Sequence, residues 1–182
     1  MTDLLAPLPD AARVWLYVSD RPLAPDEQAA LVGAMQRFFA SWHTHRIPVT
    51  GGAAVLFGRV LVVAGAVAGA AGEAAGDLSG CGIDQHVREV ERAGASLGVD
   101  WLGGMHVALA PASDSTAPGV GELRVLPRAE ARAGVAAGTI PPGTRVLDTA
   151  PPSLGAVRRG EVLPRLADSP FARWLPGAVA AS

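Results

Sequence analysis

The stretch "AAVLFGRVLVVAGAV" at residues 53–67 constrains the fold of this chain more than any other. Two apolar runs are split only by Gly58-Arg59. Glycine at the first central position suits a type II′ turn, so the two runs are expected to pair as a β-hairpin. Upstream, "RVWLYVS" at 13–19 is rich in β-branched and aromatic residues and reads as a strand. Pro25 with Asp26 and Glu27 then marks a helix start, where proline fits the first turn and acids favour the positive end of the dipole. Leu31, Met35, Phe38, Phe39 and Trp42 form one apolar helical face, and the helix is expected to end near residue 42, ahead of Pro48.

Downstream of the hairpin, "AGAAGEAAGDL" at 68–78 reads as a small-residue loop. After "SGCG", Ile83, Val87, Val90, Gly94 and Leu97 recur at helical spacing, predicting a second helix over about 82–97. "MHVALA" at 105–110 predicts a further strand. The order β-α-β-β-α-β is that of a ferredoxin-like α+β core, an antiparallel sheet with both helices on one face. The sequence thus divides into a core over 1–110, a Pro/Ser/Gly connector over 111–121 and a C-terminal αβ extension over 122–182. The extension suggests a strand "ELRVL", a helix over 128–137, a strand "TRVLDT" and a last helical turn in "LADSPFARWL". At about 60 residues it is small for an independent core and is expected to pack over the open face of the sheet.

Composition narrows the chemistry. The 182 residues carry a net charge of −2, which gives no general pull toward nucleic acid or acidic membrane. All 15 basic residues are arginine. Without lysine there is no Schiff base and no GxxxxGK[ST] phosphate loop. HExxH, CxxC and GxSxG are absent too. A single cysteine suits a reducing cytoplasm, and the chain opens without the basic and long apolar segments of a signal peptide. "VLVVAGAVAGAAG" at 60–72 is too short to span a bilayer.

The segments "RVWLYVSDRPL", "FFASWHTHR", "SGCGID" and "FARWL" occur in an order that resembles a group of small bacterial proteins commonly labelled "ABC transporter ATPase". The resemblance covers nearly the whole chain, and "SGCGID" is its most specific part. It implies no established activity, and the missing phosphate loop speaks against the label. Gly82 stands where the group's pattern leads us to expect a serine, and the 68–78 loop is longer than its pattern.

The candidate site is Ser79–Asp84. Cys81 is expected at a helix N-terminus, where free N–H groups and the dipole favour a thiolate or a bound anion. Gly80 and Gly82 permit a tight turn, and Ser79 or Asp84 offers a cap or a first-turn charge. The structural alternative makes Cys81 a small buried hydrophobe. His43 and His45, on the loop after the first helix, offer a base or ligand partner, with Arg46 as an anion clamp. Equally, they complement the negative end of that helix. His86 lies off the apolar face of the second helix and is expected to be exposed; His106, in a strand, faces either side. Trp101 either anchors packing or rims a pocket. Arg21 is expected to pair with Asp20 or Glu27.

Two functions follow. One is a non-catalytic binding or assembly module, monomeric or weakly dimeric, that takes a small ligand or a partner protein. The other is a small thiol-dependent enzyme with Cys81 as nucleophile and a histidine as base. No cofactor, metal, nucleic acid or membrane is expected to take part.

Overall fold

The computed structural model describes residues 5–67, 78–112 and 122–176. The expected loop over 68–78 therefore lies almost wholly outside the described residues, as does most of the 111–121 connector. The described chain is α+β, built on two antiparallel sheets.

The first sheet joins β1 (Arg13–Ser19), β2 (His43–Thr44), β3 (Ile47–Leu56), β4 (Val60–Val67) and β5 (Trp101–Leu102) in the order β2-β3-β4-β1-β5. The β3–β4 hairpin is the expected one, but its turn is centred one residue earlier. Phe57 and Gly58 have φ of 54° and 63°, and the Arg59 N–H donates to the Leu56 carbonyl at 3.0 Å. Positive φ at both central positions belongs to a type I′ turn, not type II′. β4 reads as a continuous apolar run because it is buried on both faces.

Strand periodicity sorts the side chains. Trp15, Tyr17, Leu61 and Val63 face the helices, whereas Val14, Leu16, Val18, Val60 and Val62 face the second layer. α1 (Pro25–Phe39) starts at Pro25, with the Glu27 carboxylate accepting from the Ala24 N–H at 2.8 Å. It buries Leu31 and Met35 fully. It ends three residues before Trp42, which is nonetheless buried, packed with Val49, Val67 and Leu78.

α2 (Gly80–Ser96) starts earlier than the periodicity suggests and is rotated relative to it. Its buried residues are Gly82, His86, Val90, Ala93 and Gly94; Ile83, Val87 and Leu97 are only half-buried. The glycines account for the rotation. A Cβ on Gly94 would lie 2.5 Å from the Trp101 indole nitrogen and 2.9 Å from the Val99 carbonyl. The helix therefore approaches its neighbours most closely at Gly82 and Gly94, on a face that also buries His86 and Val90.

The segment expected as the last strand of the first sheet joins another sheet. Of this stretch, β5 alone pairs with β1, through Val18–Leu102 and Ser19–Trp101, before Gly103-Gly104 interrupts it. β6 (His106–Ala110) then lies between β7 (Arg124–Pro127) and β8 (Arg145–Val146). Residues 107–110 are all buried, so the strand satisfies two apolar faces there that an edge position on the first sheet would leave exposed.

α3 (Arg128–Ala136) follows β7 directly. α4 (Leu154–Arg158), capped by Ser153, has no counterpart in the sequence reading because five residues carry little periodicity. The expected last helical turn is two 3₁₀ turns, Leu166–Asp168 and Ala172–Trp174. Leu123, Leu147, Leu154, Val157 and Leu163 of this C-terminal part bury the non-helical face of the first sheet. Among the described residues, no helix is long and apolar enough to cross a membrane.

Candidate functional site

The residues of "SGCGID" do not form a turn ahead of a helix; they are the start of the helix itself. Ser79 is the N-cap, with its hydroxyl 3.5 Å from the Gly82 N–H. Gly80, Cys81 and Gly82 make the first turn, so Asp84 lies beyond it and supplies no first-turn charge. Cys81 is exposed, contrary to the reading of a buried hydrophobe. Gly82 has a structural reason: its carbonyl accepts from the Trp42 indole at 2.8 Å, and a Cβ there would sit 3.3 Å from the Thr44 Cβ.

His43, His45 and Arg46 are brought close to this helix start, but by Thr44. The Thr44 hydroxyl accepts from the Ser79 N–H at 3.0 Å and shares a 2.6 Å hydrogen bond with the Ser79 hydroxyl. Strand alternation turns His43 outward, where its Nδ1 lies 2.6 Å from the Ser41 carbonyl. His45 and Arg46 are exposed and form the hairpin tip with φ of 48° and 68°. Among the described residues, no imidazole hydrogen-bonds to Cys81.

His86 is fully buried, which overturns the expected exposure. It lies about 140° around the helix from Cys81, at about 100° per residue. Its ring centroid is 4.2 Å from that of Trp15 and 5.5 Å from that of Trp42. Nε2 and the Tyr17 hydroxyl share a 2.9 Å hydrogen bond. Nδ1 is buried without a hydrogen-bond partner among the described residues. Burial pushes the imidazole down to about 4, opposed by the Gly82 carbonyl one turn back and aided by Arg13. The Tyr17 phenol is raised above its ordinary range by burial and by Glu91. His86 is therefore a neutral packing residue, not a partner for the thiol.

Other expected residues serve the fold. Arg21 makes a bidentate pair with Glu27 at 2.7 and 2.8 Å, and this pair, with the Ala24 N–H, holds the Glu27 carboxyl down to about 2. Trp101 anchors packing, donating to the Val90 carbonyl at 2.9 Å. Among the described residues, no three His, Cys, Asp or Glu side chains are grouped to hold a metal ion.

A concave feature lies elsewhere, between the two sheets. It is a cleft of about 420 Å³, within the range typical of small-molecule sites. Leu16 and Val18 of β1 form one wall, and Val125 and Val146 of the second sheet form the other. Gly103-Gly104, where the chain crosses between sheets, lies at its margin, and a Cβ at either glycine would meet nothing within 4 Å. His106, Arg128, Asp148 and Thr149 bring polar groups to it. Arg128 is held in place, its guanidinium carbon 5.4 Å from the Phe171 ring centroid and 5.8 Å from that of Trp174. Asp148 is partly engaged, accepting from the Ala150 N–H at 2.9 Å. Sequence reasoning missed this site because its residues come from six separated segments; His106 alone was singled out.

No protein-family model matches the chain, and no curated protein or solved structure matches it.

Proposed function

We propose that the protein is a non-catalytic binding module whose ligand is a small molecule with an apolar body and an acidic or hydrogen-bonding head, seated in the cleft between the sheets. The observation that supports this reading most is the cleft itself, with its aliphatic walls and the polar residues His106, Arg128, Asp148 and Thr149 in its lining, the Asp148 carboxylate being engaged by the Ala150 N–H. The proposal includes a ferredoxin-like origin for the first sheet, with Trp101–Leu102 as a shortened last strand beside β1. It also includes a bacterial cytoplasmic setting and kinship with the small proteins that share "SGCGID". The thiol-enzyme alternative draws on the exposure of Cys81 alone, with no base bonded to it.

Anilinonaphthalene sulfonate, an aromatic anion, tests the cleft. The folded protein is expected to bind one dye per chain saturably, and Gly104→Phe is expected to weaken binding without altering the thermal melt. Arg132→Ala, outside the cleft, is expected to leave binding unchanged. No saturable binding, or binding indifferent to Gly104→Phe, would refute the reading.

A further inference from the structure

A second depression, of about 330 Å³, lies outside the inter-sheet cleft and shares only Arg128 with it. It is lined by Met105, Arg128, Ala129, Arg132, Arg173 and Trp174. Arg128 is the first residue of α3 and Arg132 follows one turn later on the same face. Arg173 comes from the 3₁₀ turn Ala172–Trp174. Two separated segments thus line one depression with three arginines, in a chain whose acids outnumber its bases, 17 to 15.

None of the three makes an ion pair among the described residues. The nearby acid of the first turn, Glu130, faces Arg124 at 3.7 Å. Like charges spaced as Arg128 and Arg132 are repel and weaken a helix, a cost that a bound anion removes. No side chain caps α3; its first N–H, at Arg128, donates to the Met105 carbonyl at 2.8 Å, and the N–H groups behind it add positive potential to the same end. Met105, 73% exposed, and Trp174 supply apolar surface beside the charges. The Arg128 stacking on Phe171 and Trp174 holds one guanidinium in advance of binding.

We propose that this depression binds a small organic phosphate, the phosphoryl group among Arg128, Arg132 and Arg173 and the organic part against Met105 and Trp174. Three arginines around one depression suit a dianion with three acceptor oxygens better than a single carboxylate. The exposed methionine and the tryptophan favour a phosphate with a carbon body over the inorganic ion.

The full chain is titrated with a nucleoside 5′-monophosphate, its parent nucleoside and inorganic phosphate, by calorimetry and tryptophan fluorescence. The monophosphate is expected to bind at least about tenfold tighter than either other probe, and less tightly as salt rises. Arg132→Ala and Arg173→Ala, both at exposed positions, are each expected to weaken it at least about fivefold with unchanged melts, and Arg92→Ala on α2 to have no effect. Absence of monophosphate binding, equal binding of the nucleoside or of inorganic phosphate, or indifference to both variants would overturn the proposal. Gly104→Phe separates the two sites: if it abolishes monophosphate binding, the ligand occupies the inter-sheet cleft and this proposal fails. If it leaves binding intact, the arginine site stands, whatever the dye does in the cleft.

Discussion

His86 Nε2 and the Tyr17 hydroxyl lie 2.9 Å apart and tie α2 to β1 across a layer of aromatic rings. The imidazole is fully buried, and that burial holds its folded-state value near 4 against an ordinary 6.5. The unfolded chain therefore binds a proton between these values that the folded chain refuses. The stabilisation is complete above about pH 6.5 and is lost as pH falls toward about 4, by up to about 3 kcal/mol. Urea unfolding at pH 7.5, 6.0 and 5.0 is expected to show this slope, and the His86 ring resonances should not titrate above pH 5. Glu27 acts in a lower window, between its ordinary 4.5 and about 2, so the two contributions separate. A flat stability profile from pH 7.5 to 5.0 would contradict the assignment.

Gly65 carries the Trp42 ring. A Cβ there would lie 2.5 Å from the indole, and Trp42 has no room to retreat because it is buried and bonded to the Gly82 carbonyl. Gly65→Ala is expected to cost about 1–3 kcal/mol through overpacking. Gly104→Ala, where a Cβ meets nothing within 4 Å, should change stability by less than about 0.5 kcal/mol. Denaturant midpoints for the pair check the contrast.

Thr44 connects the β2–β3 hairpin to the start of α2. Thr44→Val keeps the shape but removes the acceptor for the Ser79 N–H and the partner of its hydroxyl. A loss of about 1–2 kcal/mol is expected, with Thr44→Ser losing less. Amide exchange at Ser79 should accelerate in the valine variant; unchanged exchange would mean that the contact does not secure the helix start.

Cys81 is exposed in the first turn of α2, so it should be alkylated in the folded protein without prior unfolding. Cys81→Ser is expected to alter stability by less than about 0.5 kcal/mol, as for other exposed positions. A thiol that reacts only in denaturant would show that this turn is covered in solution.

Local chemistry determined much of this protein from sequence alone. β1 is legible in "RVWLYVS", the hairpin in its two apolar runs, and the start of α1 in Pro25 with two acids, because each signal depends only on neighbours along the chain. Three features needed the tertiary structure. The core face of α2 is set by Gly82 and Gly94, where close approach depends on missing side chains, so a search for apolar residues selects Ile83 and Val87 and places His86 outside. "MHVALA" is a strand in either reading, but only long-range competition decides that it pairs with β7 and β8 instead of β1. Both depressions gather residues remote in sequence. Arg132 and Arg173 look like ordinary surface charges in the chain; packing of the last 3₁₀ turn against α3 brings them together.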